Sequence, residues 1–264
     1  MTRTTSFLLD APEADTGACA DSIDTIFDPT TFRHLETLGV GHGWRCWEVG
    51  AHSTSVVSWM AKKVGPTGKV IVSATDPSSI VRGVRSPVEV LVHDFGVEEP
   101  PGAGFDLVHA RLVLHHAPDP ERALRSMVKA LRVGGRLLVE DADLSLQPLA
   151  CPDEHSPAQQ LANRLRRAFH QLLTAHGDDV TYGRRLPRLL RDAGLQRVEA
   201  DAYFPLSSRA STALEYATIH QIRRRLIAAG LATDDDIDRH LANISAGAMD
   251  LATAPMISAW GRRS

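Results

Sequence analysis

The chain has 264 residues, 43% of them hydrophobic and 23% charged, with a formal net charge of −3. These values suit a soluble protein with one substantial α/β domain plus appendages, or two small domains, and argue against a mainly electrostatic binder of nucleic acid or membrane surfaces. Cys19, Cys46 and Cys151 are far apart with no C-x-x-C, so they read as buried thiols of a reducing compartment and not as a disulfide framework or zinc knuckle. Met1 to Asp10 make a poor signal peptide and no apolar run reaches bilayer length, which makes the expected location cytoplasmic. The first twenty or so residues, rich in Thr, Asp, Ala and Ser, are expected to be loosely ordered.

From Trp44 to Asp143, short apolar runs alternate with amphipathic segments, the pattern of a parallel sheet with covering helices. Strand 45–49 leads to helix 55–64, where Val56, Trp59, Met60 and Val64 recur at helical spacing before a Gly65-Pro66-Thr67-Gly68 turn. Strand 69–75 ends on Asp76-Pro77, a short helical stretch spans 79–84, and strand 88–93 ends on Asp94. Strand 105–110 follows. Asp119-Pro120-Glu121 then opens a helix with Leu124, Val128 and Leu131 on one face, which stops at Gly134-Gly135 before strand 136–140. Beyond these lie an Arg-rich helix over 158–176, a helix over 184–193 and a strand over 197–203. Helices over 212–229 and 233–245 precede a last strand over 255–261. The resulting division is an N-terminal segment 1–36, an α/β core 37–205, a helical lid 206–252 and a closing core strand 253–264.

Ligands of open α/β sheets bind beyond the carboxyl ends of the strands. This sequence places there Gly50–Thr54, Asp76, His93-Asp94-Phe95, Ala110-Arg111, His115-His116, and Glu140, Asp141 and Asp143. An acid at the end of strand two, 26 residues after Gly50, is placed to accept hydrogen bonds from a ribose diol. Asp94 is placed to accept from an exocyclic amine, and Phe95 to face a purine. A lone acid at a strand end is more often a turn residue, but three such groups on one edge indicate an adenosine-containing ligand. A dinucleotide fingerprint would have glycines at 52 and 55, where His52 and Ser55 stand, and no Walker loop is present, so the ligand is expected to lack phosphates.

The order E-V-G (48–50), T-D-P (75–77), V-H-D-F (92–95), F-D-L-V-H-A-R-L-V-L-H-H (105–116) and L-R-V-G-G-R-L-L-V-E (131–140) resembles the class I S-adenosylmethionine-dependent methyltransferases. The likeness is greatest to small bacterial enzymes of natural-product type, and it extends from Phe27-Asp28-Pro29 to Met256–Arg263. The resemblance implies a Rossmann-like α/β fold: a seven-stranded sheet ordered 3-2-1-4-5-7-6, strand seven antiparallel, with helices on both faces. It implies S-adenosylmethionine as cofactor. Asp76, followed by Pro77, would bind the ribose hydroxyls and Asp94 and Phe95 the adenine. Ala110 and Arg111 would border the methionine end, while Glu48, Gly50 and Ala51 shape the first turn. It implies a small-molecule acceptor, no nucleic acid and no membrane. A homodimer is admitted, with the oligomeric state left open.

The family's first turn reads E-x-G-x-G-x-G, and here His52 and Thr54 replace its second and third glycines. A Cβ at a left-handed position costs about 1 kcal/mol, and the imidazole adds bulk beside the methionine carboxylate. His52 either rotates outward, partners that carboxylate, or marks a loop that has lost its cofactor. Catalysis needs a base, and His115 and His116 after strand four face the acids ending strand five, with Asp141 the orienter chosen for His115. A metal set of His109, His115, His116 and Asp119 lacks a second ligand cluster, so no metal is expected. The arginines of 164–191 and 223–225 read as solvated helix faces. A repurposed, non-methylating enzyme on the same fold and a non-catalytic adenosine-ligand sensor are the competing readings.

Overall fold

The computed structural model describes residues 13–247 and 249–264. The elements run α1 (Glu13–Thr37), β1 (Arg45–Val49), α2 (Ser55–Val64), β2 (Lys69–Ala74), α3 (Ser78–Val81), β3 (Val88–Val92) and β4 (Phe105–Arg111). After a 3₁₀ turn (Leu114–His116) come α4 (Pro120–Ala130), β5 (Leu131–Ala142), α5 (Pro157–His176), α6 (Tyr182–Asp192), β6 (Gln196–Tyr203), α7 (Arg209–Ala228), α8 (Asp234–Ser245) and β7 (Met256–Arg262). The loose order expected of the first twenty residues lies, for 1–12, outside the described residues, while from Glu13 the backbone is helical. No described helix is long and apolar enough to cross a membrane.

The seven strands form one sheet in the order β3-β2-β1-β4-β5-β7-β6. β1 pairs in parallel with β2 and β4, as do β2 with β3 and β4 with β5. Gly134 N donates to Arg263 O at 2.8 Å, while Asp143 N donates to Pro255 O at 3.0 Å. The start of β5 therefore lies beside the end of β7, and β7 runs antiparallel, as the resemblance implies. The strand pleat separates two cores. Cys46, Val70, Val72, Leu107 and Leu138 pack with Leu35 of α1 and Val56, Val57 and Met60 of α2. Trp47, Val49, Val108, Leu137 and Val139 pack with Leu124 and Met127 of α4 and Leu186 and Leu190 of α6.

The junction of α4 and β5 departs from the sequence reading. The helix ends at Ala130, and Leu131 already pairs with Phe105, whereas Leu107 pairs with Arg136. Gly134 has φ +78°, and a Cβ on Gly135 would sit 2.7 Å from Phe105 O. The two glycines thus form a bulge within the strand, not a helix stop.

The chain divides into two compact units. One comprises Phe27–Asp141, Tyr182–Ala202 and Ile257–Ser264 and holds the sheet. The other gathers the residues up to Ile26, Ala142–Thr181 and Tyr203–Met256, so α5 groups with α7 and α8 and the boundary differs from the core range 37–205. Leu161, Leu165, Ile219, Ile222, Ile237 and Ile244 form the second unit's core. Arg166 is a correction to the expected solvated arginine face: it is buried, with Nη2 2.5 Å from Glu215 Oε2 and 3.3 Å from Ala252 O. Glu215 also faces His240 Nε2 at 3.3 Å. Despite burial, Arg166 and His240 hold its carboxyl down at about 2.

Candidate functional site

Gly50 follows β1 with φ +65°. A Cβ there would stand 2.8 Å from Val113 Cγ1 and 3.3 Å from Phe95 Cε1, so the loops after β1, β3 and β4 close around one bare backbone position. Gly50 N and Ala51 N donate to Ser73 O at 2.7 and 3.3 Å, which ties the turn to β2. Among the described residues, positive φ outside glycine occurs only at Leu112, Arg197 and Ser207, and Thr54 has φ −92° and ψ −5°. The strain expected of a Cβ at His52 and Thr54 is therefore absent, because this loop does not take the left-handed path that glycines would allow. His52 Nε2 is buried, so the far end of the imidazole is turned inward. The Thr54 methyl occupies the space beside Gly83, where a Cβ would come within 2.9 Å.

Asp76 stands exposed after β2, and its Oδ1 accepts from Ser78 N at 3.0 Å. Hydrogen bonds from the Ser78 backbone and side chain hold this carboxyl below the ordinary range. Pro77 O accepts from Ile80 and Val81 N, opening α3. Asp94 Oδ1 accepts from Gly96 N at 3.0 Å, and Phe95 is half-buried against the Gly50 turn. Each acid commits Oδ1 to a turn. Ala110 is buried in register with Val49. Arg111 is also buried, and its guanidinium lies 2.8 Å from Asp28 Oδ1 and 3.3 Å from Thr31 Oγ1 of α1. Asp28 in turn accepts from Ser55 at the start of α2.

A buried ionic chain lies on the α1 face, where β1, β4 and β5 each present a polar side chain in the alternation that otherwise carries core residues. His109 Nδ1 lies 2.6 Å from Glu48 Oε2 and its Nε2 3.3 Å from Glu140 Oε2. Glu140 also accepts from Thr31 Oγ1 at 2.5 Å and Ser258 Oγ at 2.6 Å, and lies 3.4 Å from His34 Nδ1. Burial alone would lower the His109 pKa, but the Glu48 charge and the hydrogen bonds its ring donates to both carboxylates raise it to about 9. The imidazolium and its neighbours hold Glu140 far below the carboxylate range against burial. The sequence reading used Glu48 only as a turn-shaper and set His109 aside. The missed signal is a Glu, a His and a Glu on one face of three adjacent strands, with Glu48 in register with His109 and Glu140 two residues beyond Leu138, the register partner of His109.

On the opposite pleat, His115 Nδ1 lies 2.8 and 2.9 Å from the two oxygens of buried Asp141. The His115 and His116 rings lie against each other, centroids 3.6 Å apart and planes tilted by 49°, and the Tyr182 ring of α6 is 6.2 Å from that of His115. Burial, then the neighbouring His115, push the His116 pKa down to about 3, so its ring is neutral. Among the described residues no group of three or more His, Cys, Asp or Glu side chains is arranged to hold a metal.

The donor set suits a nucleoside without phosphates. A cradle that only glycine fits lies against an aromatic ring, and an exposed carboxylate follows the adjacent strand. Residues 13–200 match the methyltransferase domain family. The ubiquinone/menaquinone biosynthesis C-methyltransferase UbiE of Ectopseudomonas mendocina (strain ymp) is 29% identical over 182 residues, covering 62% of this chain and 70% of the relative. Among solved structures, phosphoethanolamine N-methyltransferase 2 of Haemonchus contortus shares the fold with a TM-score of 0.61 at 15% identity, over all of this chain, which spans 61% of that chain's length. A methyltransferase fold from an antibiotic biosynthesis pathway of Anabaena variabilis superposes with a TM-score of 0.58 at 16% identity, covering 88% of this chain and 96% of that one. With the domain matched over most of its length on this sheet order, the chain belongs to the methyltransferase domain family and is a class I S-adenosylmethionine-dependent methyltransferase.

Proposed function

We propose that the chain methylates a small-molecule acceptor, a secondary metabolite, whose nucleophile forms when His115 takes its proton. The carrying observation is the 2.8 Å contact of His115 Nδ1 with Asp141. An Nδ1–H donated to a buried carboxylate leaves the Nε2 lone pair as the base and fixes the ring plane. His116, kept neutral, adds no positive charge beside the base. A single oriented base suits a phenol or enol, where loss of one proton enriches the oxygen and the ortho carbon of a phenolate or the α-carbon of an enolate. The C-methyltransferase named among the relatives supports carbon.

In this reading residues at the strand ends would hold the cofactor, which when bound would supply an electrophilic methyl carbon on its sulfonium, the S–CH3 bond breaking to leave S-adenosylhomocysteine. Asp76, beside Pro77, accepts from the ribose hydroxyls, while Asp94 and Phe95 receive the adenine. Glu48, Gly50 and Ala51 shape the turn, His52 borders the carboxylate of the methionine moiety, and Ala110 with the Arg111 backbone lines the methionine end. The Arg111 side chain, held by Asp28, acts by fixing that strand end to α1.

Calorimetric titration with S-adenosylmethionine and S-adenosylhomocysteine, followed by transfer of labelled methyl to a panel of phenols and quinols, tests the proposal. Both ligands should bind and a methylated product should form. Failure of either ligand to bind overturns the site, while binding without product from any acceptor overturns methyl transfer in favour of a repurposed scaffold.

A further inference from the structure

α7 has two distinct faces. Ser211, Glu215, Ile219, Ile222 and Leu226 are buried against the second unit's core. Arg209, Ala213, Tyr216 and Ala217 recur at the three- and four-residue spacing of another face. With Ser22 of α1 and Ile244 of α8 they line an open groove of about 480 Å³. That volume falls in the range of small-molecule sites, roughly 300–1,000 Å³. Small side chains at Ala213 and Ala217 leave the space, and Tyr216, 42% exposed, offers an aromatic wall.

The charge at one end is uncompensated. Arg164 and Arg166 of α5, Arg223 of α7 and Arg239 of α8 each have a carboxylate partner. Arg209 is exposed and, like Arg167 and Arg224, has none among the described residues, and of these three it is the one that lines the groove. A cation at the first position of a helix also opposes the helix field, so helix stability does not account for it. We propose that this groove binds a small aromatic monoanion, its carboxylate or sulfonate paired with Arg209 and its ring lying on Tyr216, Ala213 and Ala217. The groove lies within one unit, and its occupancy does not depend on methyl transfer.

Calorimetry with 2-naphthoate and with neutral 2-naphthalenemethanol tests this on the full chain. Naphthoate should bind the wild type. Arg209→Gln should weaken it by about tenfold or more, the worth of one charge-assisted contact, while leaving the alcohol unchanged. Ala213→Trp should abolish binding of both, and Ala217→Phe provides the same block should the first variant lose the wild-type thermal midpoint. Absence of naphthoate binding at millimolar concentration, equal binding by Arg209→Gln, or undiminished binding by the filled variants overturns the proposal.

Discussion

Gly50 is the residue at which conformation and space agree. Its φ of +65° and the 2.8 Å separation from Val113 mean that Gly50→Ala carries both a left-handed penalty and an overpacking cost. Together these amount to about 2–4 kcal/mol. The expected outcome is a lower denaturation midpoint and cofactor affinity reduced by more than about tenfold, read by calorimetry. His52 behaves differently. Because its backbone is not left-handed, His52→Gly relieves no strain and adds unfolded-state freedom, so stability should fall by about 0.5–1 kcal/mol in urea. A gain would show that the native loop is strained after all. At the base, His115→Ala should cut kcat by about 10²–10⁴ while leaving S-adenosylmethionine affinity unchanged. A smaller loss for Asp141→Asn, in a kinetic comparison of the two variants, would fit an orienting role.

Elements are joined by polar groups that the hydrophobic pattern does not announce. β1, β4 and β5 are bound to one another by Glu48, His109 and Glu140, and α1 is bound to them by Thr31, His34 and the Asp28–Arg111 pair. Removing the central cation leaves two buried carboxylates facing each other. His109→Gln should therefore cost about 3–5 kcal/mol, measured by chemical denaturation, and a cost under about 1 kcal/mol would mean that the carboxylates find other partners. Element boundaries were legible where caps are local: Asp119 accepts from Arg122 N, and Thr233 and Asp236 form the capping box that opens α8. They were not legible at Gly134-Gly135, where the same pair that ends helices instead makes a bulge against Phe105. The competing contact there comes from another strand, which local sequence does not contain.

For the whole molecule, the ionic chain sets a pH dependence. The His109 pKa of about 9 exceeds the ordinary 6.5, so its protonation favours the folded state. That contribution is complete below pH about 6.5 and is lost as the pH rises through about 9. His34, also raised, acts in the same direction despite its burial, through Glu140 and Asp201. Glu140, held low, withdraws its contribution on the acid side, below the ordinary carboxylate range. Thermal midpoints should thus fall between pH 7 and 9.5, and the alkaline fall should be shallower in His109→Gln. An identical slope in that variant would assign the fall to other groups.

Periodicity fixes the α/β class, since alternating apolar runs and amphipathic segments leave few sheet arrangements open. The ordered motifs from Glu48 to Glu140 point to the cofactor, because strand-end acids and the first turn are local features. The pairing of His115 with Asp141 was anticipated as well, since adjacent strands deliver their ends side by side. What only the tertiary structure decided is where each polar side chain turns. The Arg111 side chain turns to Asp28 of α1, Arg166 faces a carboxylate instead of solvent, His109 is an imidazolium between two acids, and the His52 loop runs without left-handed strain. Those outcomes depend on charges and carbonyls contributed by residues far away in the chain, and burial makes their energies large enough to override local preference.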